Sequence, residues 1–176
     1  MRRFACLVLA ALFAVLLLGC HYSESGDILE PVEFFYPRKT SAFAYGSADG
    51  IIDSEIREAS GHIDDLNYLI TMYLYGPQEP TMRSPFPSGC KLVNIRTEAD
   101  TLYLHLCESF TSLENVELTI ACTALARTCM SITDYQYVCI DATSGGKTVS
   151  LTLSADSVLF ADNSAFDLRT TSEESN

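Results

Sequence analysis

The run IDDLNYLITMYLYGP, residues 63–77, passes into QEPTMRSPFPSGC (78–90) and then into KLVNIRT (91–97). Ile63, Leu66, Leu69, Ile70, Tyr73 and Leu74 recur at helical spacing, so the first segment predicts an amphipathic helix with one apolar stripe. Gly76-Pro77 ends it: glycine accepts the left-handed conformation that closes a helix, and proline has no N–H with which to continue one. Four of the six prolines lie between residues 77 and 87, which stiffens the connecting loop. A helix stopped this firmly before a rigid loop delivers the strand expected over 91–97 to a fixed place. That is a fold signal. No catalytic motif accompanies it here or elsewhere in the chain.

A chain of 176 residues with 48% hydrophobic residues can bury one core as a single domain. Its net charge of -12 opposes a surface that tracks nucleic-acid phosphates, and it would repel anionic lipid from the body of the protein. Arg2 and Arg3 precede an unbroken apolar run from Phe4 to Leu18, too short for a comfortable membrane span and typical of an export signal. The run closes on Leu17-Leu18-Gly19-Cys20, which resembles the lipobox of bacterial lipoproteins, with Leu18 a less usual residue at its place. That resemblance implies cleavage after residue 19, a diacylglycerol thioether on Cys20 and an extracytoplasmic, membrane-anchored product; a plain secretory peptide and an uncleaved anchor are the alternatives. Two or more acyl chains hold a protein stably at a bilayer where one does not. Loss of Arg2 and Arg3 leaves a mature charge of about -14. Residues 20–30 then read as lipidated cysteine and polar tether, with a reach of roughly 35 Å. Residues 163–176 read as a disordered acidic tail, and 31–162 as the folded domain.

Within that domain Val32 to Tyr36 reads as a strand broken by Pro37, and Ile51 to Ile56 as a second strand after a turn at Asp49-Gly50. Val93 and Ile95 are expected on one side of the 91–97 strand. Thr101 to Cys107 alternates cleanly, Leu102, Leu104 and Leu106 facing one way and Thr101, Tyr103, His105 and Cys107 the other, so 91–107 predicts a hairpin turning at Glu98 to Asp100. Thr111 and Glu114 fit a capping box for a second helix, with Val116, Ile120, Ala121, Ala124 and Leu125 as its buried stripe. Asp134 to Asp141 predicts a strand with Val138 and Ile140 inward and Tyr135, Tyr137 and Cys139 outward. Gly145-Gly146 turns into a last strand carrying Val149, Leu151 and Leu153. One-faced strands with two amphipathic helices predict a two-layer α/β (α+β) domain, the helices packed on one face of a mixed or mostly antiparallel sheet.

Leu74-Tyr75-Gly76-Pro77, Phe86-Pro87-Ser88-Gly89-Cys90-Lys91-Leu92, Leu106-Cys107-Glu108-Ser109-Phe110 and Glu117-Leu118-Thr119-Ile120, in this order and at these spacings, resemble the GerMN domain of sporulation and spore germination in Gram-positive bacteria. The similarity spans roughly Val32 to Phe160. It implies an α/β domain, often on a membrane-anchored lipoprotein, that acts in envelope or sporulation complexes without a catalytic residue set. The chain departs from the family in carrying Cys90 where threonine is common, in its further cysteines and in having a single copy. A wall- or small-ligand-binding lipoprotein outside sporulation is the alternative.

Five cysteines remain after processing: Cys90, Cys107, Cys122, Cys129 and Cys139. The number is odd, so at least one is a free thiol or pairs with another molecule. Cys122 and Cys129 stand about 10.5 Å apart along one helix, too far to bond. The rest are either free, mostly buried thiols, or include a Cys107–Cys139 bridge if their strands are neighbours. His105, Cys107 and Cys139 are ligand-type side chains, but zinc sites advertise closely paired ligands such as Cys-x-x-Cys, and none occurs; no metal, cofactor or enzymatic activity is expected. Asp64-Asp65 and Glu173-Glu174 fall at a helix start and in the tail. The candidate functional surface is the outer sheet face with Tyr103, His105, Tyr135 and Tyr137. It either stabilises the sheet by cross-strand pairing, or lies under the N-terminal segment, or binds an envelope protein through tyrosines that give large area with a polar tip. Neither the partner's identity nor an oligomeric state follows from the sequence.

Overall fold

The computed structural model describes residues 30–39 and 51–157. The expected export signal with Cys20, most of the expected tether, the expected turn at Asp49-Gly50 and the expected acidic tail lie outside the described residues.

The architecture is a two-layer α/β domain whose strands divide into two sheets. Strands β1 (Pro31–Pro37) and β2 (Ile52–Glu58) pair antiparallel as one. In the other, β3 (Leu92–Glu98), β4 (Thr101–Leu106), β5 (Tyr137–Ser144) and β6 (Lys147–Ser154) lie side by side in sequence order. The β4–β5 pair is parallel and its neighbours are antiparallel. A parallel pair needs a crossover, and helix α2 (Asn115–Ile132) supplies it. Leu102, Leu104, Leu106, Val138, Ile140, Ala142, Val149 and Leu153 are buried on one face, as the alternation predicts.

Helix α1 (Leu66–Leu74) starts where Asp65 accepts the Tyr68 amide at 3.0 Å and buries Leu69, Ile70 and Tyr73. It stops at Gly76, whose φ of +97° few side-chain-bearing residues adopt. The end is gripped from β2. Arg57 donates to the Met72 carbonyl at 3.2 Å and the Gly76 carbonyl at 2.5 Å; it pairs with Glu55, which accepts the Gln78 and Glu79 amides at 3.0 and 2.8 Å. A cation there meets the negative end of the helix dipole. Tyr36 and Tyr73 stack at 4.6 Å; the Tyr36 hydroxyl donates to the Tyr73 carbonyl at 2.7 Å and the Tyr73 hydroxyl to the Phe35 carbonyl at 2.8 Å. Phe86 meets Tyr73 edge-on at 5.6 Å, which pins the proline-rich loop to the core.

Three local expectations are corrected. Val93 is 60% exposed, while Leu92 and Ile95 pack against the core. Leu92 pairs with Leu106 and Asn94 with His105, so Val93 is the extra residue of a β-bulge that reverses the alternation before it. The capping box does not form: Thr111 Oγ1 donates to the Glu108 carbonyl within a 3-10 turn, Glu108–Ser112, and α2 begins after Glu114 with no side-chain cap. Finally, α2 is not one-striped. Val116 is 69% exposed, whereas every residue from Ala121 to Cys129 except Arg127 is buried, because the helix touches β5 and β6 of one sheet and β1 of the other. Thr128 Oγ1 accepts the Phe35 amide at 2.9 Å and Ser131 donates to the Glu33 carbonyl at 2.8 Å. Helix side chains thereby satisfy the open edge of β1.

Candidate functional site

The face of the four-stranded sheet opposite the buried leucines is built in rows by the strand register. Arg96, Tyr103, Cys139 and Thr152 form one row, and Asn94, His105, Asp141 and Ser150 the next. Tyr137 opposes Thr101 in the row before them. Tyr103 and His105 are half-buried, and Tyr137 is exposed. The Arg96 guanidinium lies 3.9 Å from the centroid of the Tyr103 ring and 2.9 Å from Glu98, so the tyrosine carries a cation on its face. His105 Nδ1 is 2.5 Å from Asp141 Oδ2, a contact that fixes the ring's orientation.

Tyr103, His105 and Tyr137 therefore share the expected face, and Tyr135 does not join them on a strand. The chain is not yet extended there: the Gln136 and Tyr137 amides both donate to the Asp100 carbonyl, at 3.0 and 3.1 Å, and β5 starts only at Tyr137. Tyr135 packs against the core instead. Sequence reasoning missed Arg96 and Asp141 as members of this face. Arg96 was accessible from the hairpin, since an antiparallel pairing that matches Glu98 to Thr101 places Arg96 opposite Tyr103. Asp141 was not, because the parallel register of β4 and β5 leaves no local trace.

The described cysteines are free, so no Cys107–Cys139 bridge exists. β4 ends at Leu106, and Cys107 leaves the sheet to begin the 3-10 turn. Its Sγ accepts the Lys91 amide at 3.1 Å and lies 3.1 Å from Ser109 Oγ; that amide is joined directly to Cys90, which makes Cys90 its thiol neighbour. Burial pushes the Cys107 thiol up, but the Ser109 hydroxyl, the Lys91 amide and the Cys90 thiol outweigh it and hold Cys107 below the ordinary thiol value. Burial, then the nearby Cys107, pushes Cys90 up to about 12. Among the described residues no three His, Cys, Asp or Glu side chains gather as metal ligands, and no helix is long and apolar enough to cross a membrane.

No family model matches this chain, and no curated protein does. Among solved structures it is similar to one described as "Putative Lipoprotein from Clostridium perfringens", with 15% sequence identity and a TM-score of 0.44; the alignment covers 75% of this chain and 93% of the other.

Proposed function

We propose that this chain is a lipid-anchored extracytoplasmic module that binds another envelope protein through the outer face of its four-stranded sheet, without catalysing a reaction. The observation that carries the reading is that face itself. Tyr103 with Arg96 stacked on it, the His105–Asp141 pair and the exposed Tyr137 make a surface of aromatic area and charge. Patches of this composition suit protein partners. The lipobox-like Leu17-Leu18-Gly19-Cys20 supports the anchor, and the GerMN-like series supports an assembly role in sporulation or germination.

The test is made in the producing bacterium with the full chain. Cys20→Ala is expected to move the protein from the membrane fraction to the soluble fraction or the medium. A photo-crosslinking residue at position 137 is expected to yield one discrete protein adduct. The Tyr103→Ser/Tyr137→Ser pair should weaken that partner's binding about 10- to 100-fold, the usual range for interface tyrosines. Unchanged affinity discards the face, and retention of the Cys20→Ala protein in the membrane fraction discards the anchor. Adducts to wall glycan alone would favour a wall-binding lipoprotein.

A further inference from the structure

We propose that Cys90 and Cys107 form a thiol–disulfide exchange site, which closes to a disulfide by reaction with a small disulfide of the glutathione type and reopens with the matching thiol. The two residues come from different elements. Cys90 ends the proline-rich loop, where its amide donates to the Pro87 carbonyl at 3.0 Å. Cys107 follows β4, and its amide donates to the Lys91 carbonyl at 2.9 Å. Lys91 thus sits opposite Cys107 as the next step beyond the Leu92–Leu106 pair, and Cys90 is one residue further along. The Lys91 amide that Cys107 Sγ accepts at 3.1 Å is the one joined directly to Cys90, so the two cysteines are neighbours in space.

The pair is asymmetric in the way exchange requires. Cys107 is half-exposed and Cys90 is buried. Cys107 receives the Lys91 N–H and lies beside the Ser109 hydroxyl, donors that favour its thiolate, while Cys90 keeps its proton. The attacking sulfur in such pairs is the accessible one with the larger thiolate fraction. Cys107 thiolate attacks the incoming disulfide RS–SR, a Cys107–SR bond forms, and RS⁻ leaves to be protonated as RSH. Cys90 then gives up its proton and attacks Cys107 Sγ; the Cys107–SR bond breaks, the second RS⁻ leaves as RSH, and the protein dithiol has passed two electrons to the small disulfide. A groove of about 410 Å³ bordered by Leu74, Tyr75, Cys90 and Leu92 opens on the Cys90 side of the pair. Closure ties the loop that follows α1 to the end of β4. The export signal places this chemistry where disulfides persist, and the inference otherwise stands apart from the proposed binding face.

The full chain, purified from membranes in detergent and fully reduced, is equilibrated in mixtures of reduced and oxidised glutathione, alkylated, and mapped by peptide mass spectrometry. A single internal bridge, Cys90–Cys107, is expected. Cys90→Ser should stop at a glutathione adduct on Cys107, and Cys107→Ser should give neither adduct nor bridge, with circular dichroism confirming that both variants fold. In the wild-type chain at neutral pH, iodoacetamide should modify Cys107 at least about a hundredfold faster than Cys90, following the difference in thiolate fraction. A Cys107–Cys139 bridge, an adduct on Cys90 in the Cys107→Ser chain, or five free thiols in fully oxidised glutathione would overturn the proposal.

Discussion

Replacing Arg57 with methionine is expected to lower the unfolding free energy by about 3–5 kcal/mol, the usual cost of removing one partner from a buried ion pair. The Arg57 and Glu55 side chains are 5% and 9% exposed, so each charge relies on protein groups rather than water. Without the guanidinium, the Met72 and Gly76 carbonyls at the end of α1 lose their donor, and the Glu55 carboxylate keeps only the Gln78 and Glu79 amides. The methionine would restore apolar contact where Arg57 now lies over the Phe34 and Tyr36 rings, 5.2 and 5.5 Å from their centroids, and so isolates the electrostatic loss. A cycle with Glu55→Gln separates the pair from the carbonyls. Most of the cost should be recovered in the double variant if the stranded carboxylate dominates, and little if the helix end does. Urea titrations of the four proteins give the values. A single-variant loss below about 1 kcal/mol, the scale of an exposed pair, would show that this cluster does not hold the helix end.

The same cluster shows what the sequence disclosed and what it withheld. The end of α1 was legible because Gly76-Pro77 acts locally, through backbone conformation and a missing N–H. So was the inward face of β4, since Leu102, Leu104 and Leu106 repeat with the period of the pleat. Glu55 and Arg57 share one face of β2, but only the fold places the end of α1 against them. Burial of α2 on two sides was illegible for a related reason: Ala121, Ala124 and Ala126 are small enough to sit between layers, yet alanine reads the same on a one-sided helix. Val93 misled because a bulge adds one residue without a sequence mark. For the site, strand alternation found Tyr103, His105 and Tyr137. Finding Asp141 beside His105, and Cys90 rather than Cys139 beside Cys107, required the register between strands.

In reducing buffer the domain is expected to lose stability steeply as pH rises past 9. Burial, with a smaller contribution from Cys107, holds the Cys90 thiol up at about 12, and burial alone does the same for Cys122; burial pushes Cys129 higher still. The unfolded chain releases these protons near 9.0. Between that value and the folded ones the native state binds more protons than the unfolded state, so stability falls as pH rises, by about 1.4 kcal/mol per unit for each thiol and about 4 for the three together. Above 10 two phenols join them. Burial raises Tyr36 against the opposing pull of Arg57, and burial followed by the proximity of Tyr36 raises Tyr73; both hydroxyls donate to backbone carbonyls and lose those bonds on ionising. The slope then approaches about 7 kcal/mol per unit, enough to exhaust an ordinary domain's 5–15 kcal/mol within one to two units. Urea midpoints followed by circular dichroism from pH 7 to 11 should be level below about 8 and fall sharply from 9, with tyrosinate absorbance at 295 nm rising in step with unfolding. Cys122→Ala should start from lower stability because of its cavity, yet lose about 1.4 kcal/mol less per unit between pH 9 and 11. Stability unchanged from pH 8 to 10.5 would mean that these thiols reach water in the folded protein, against the burial on which the placement of α2 between the two sheets depends.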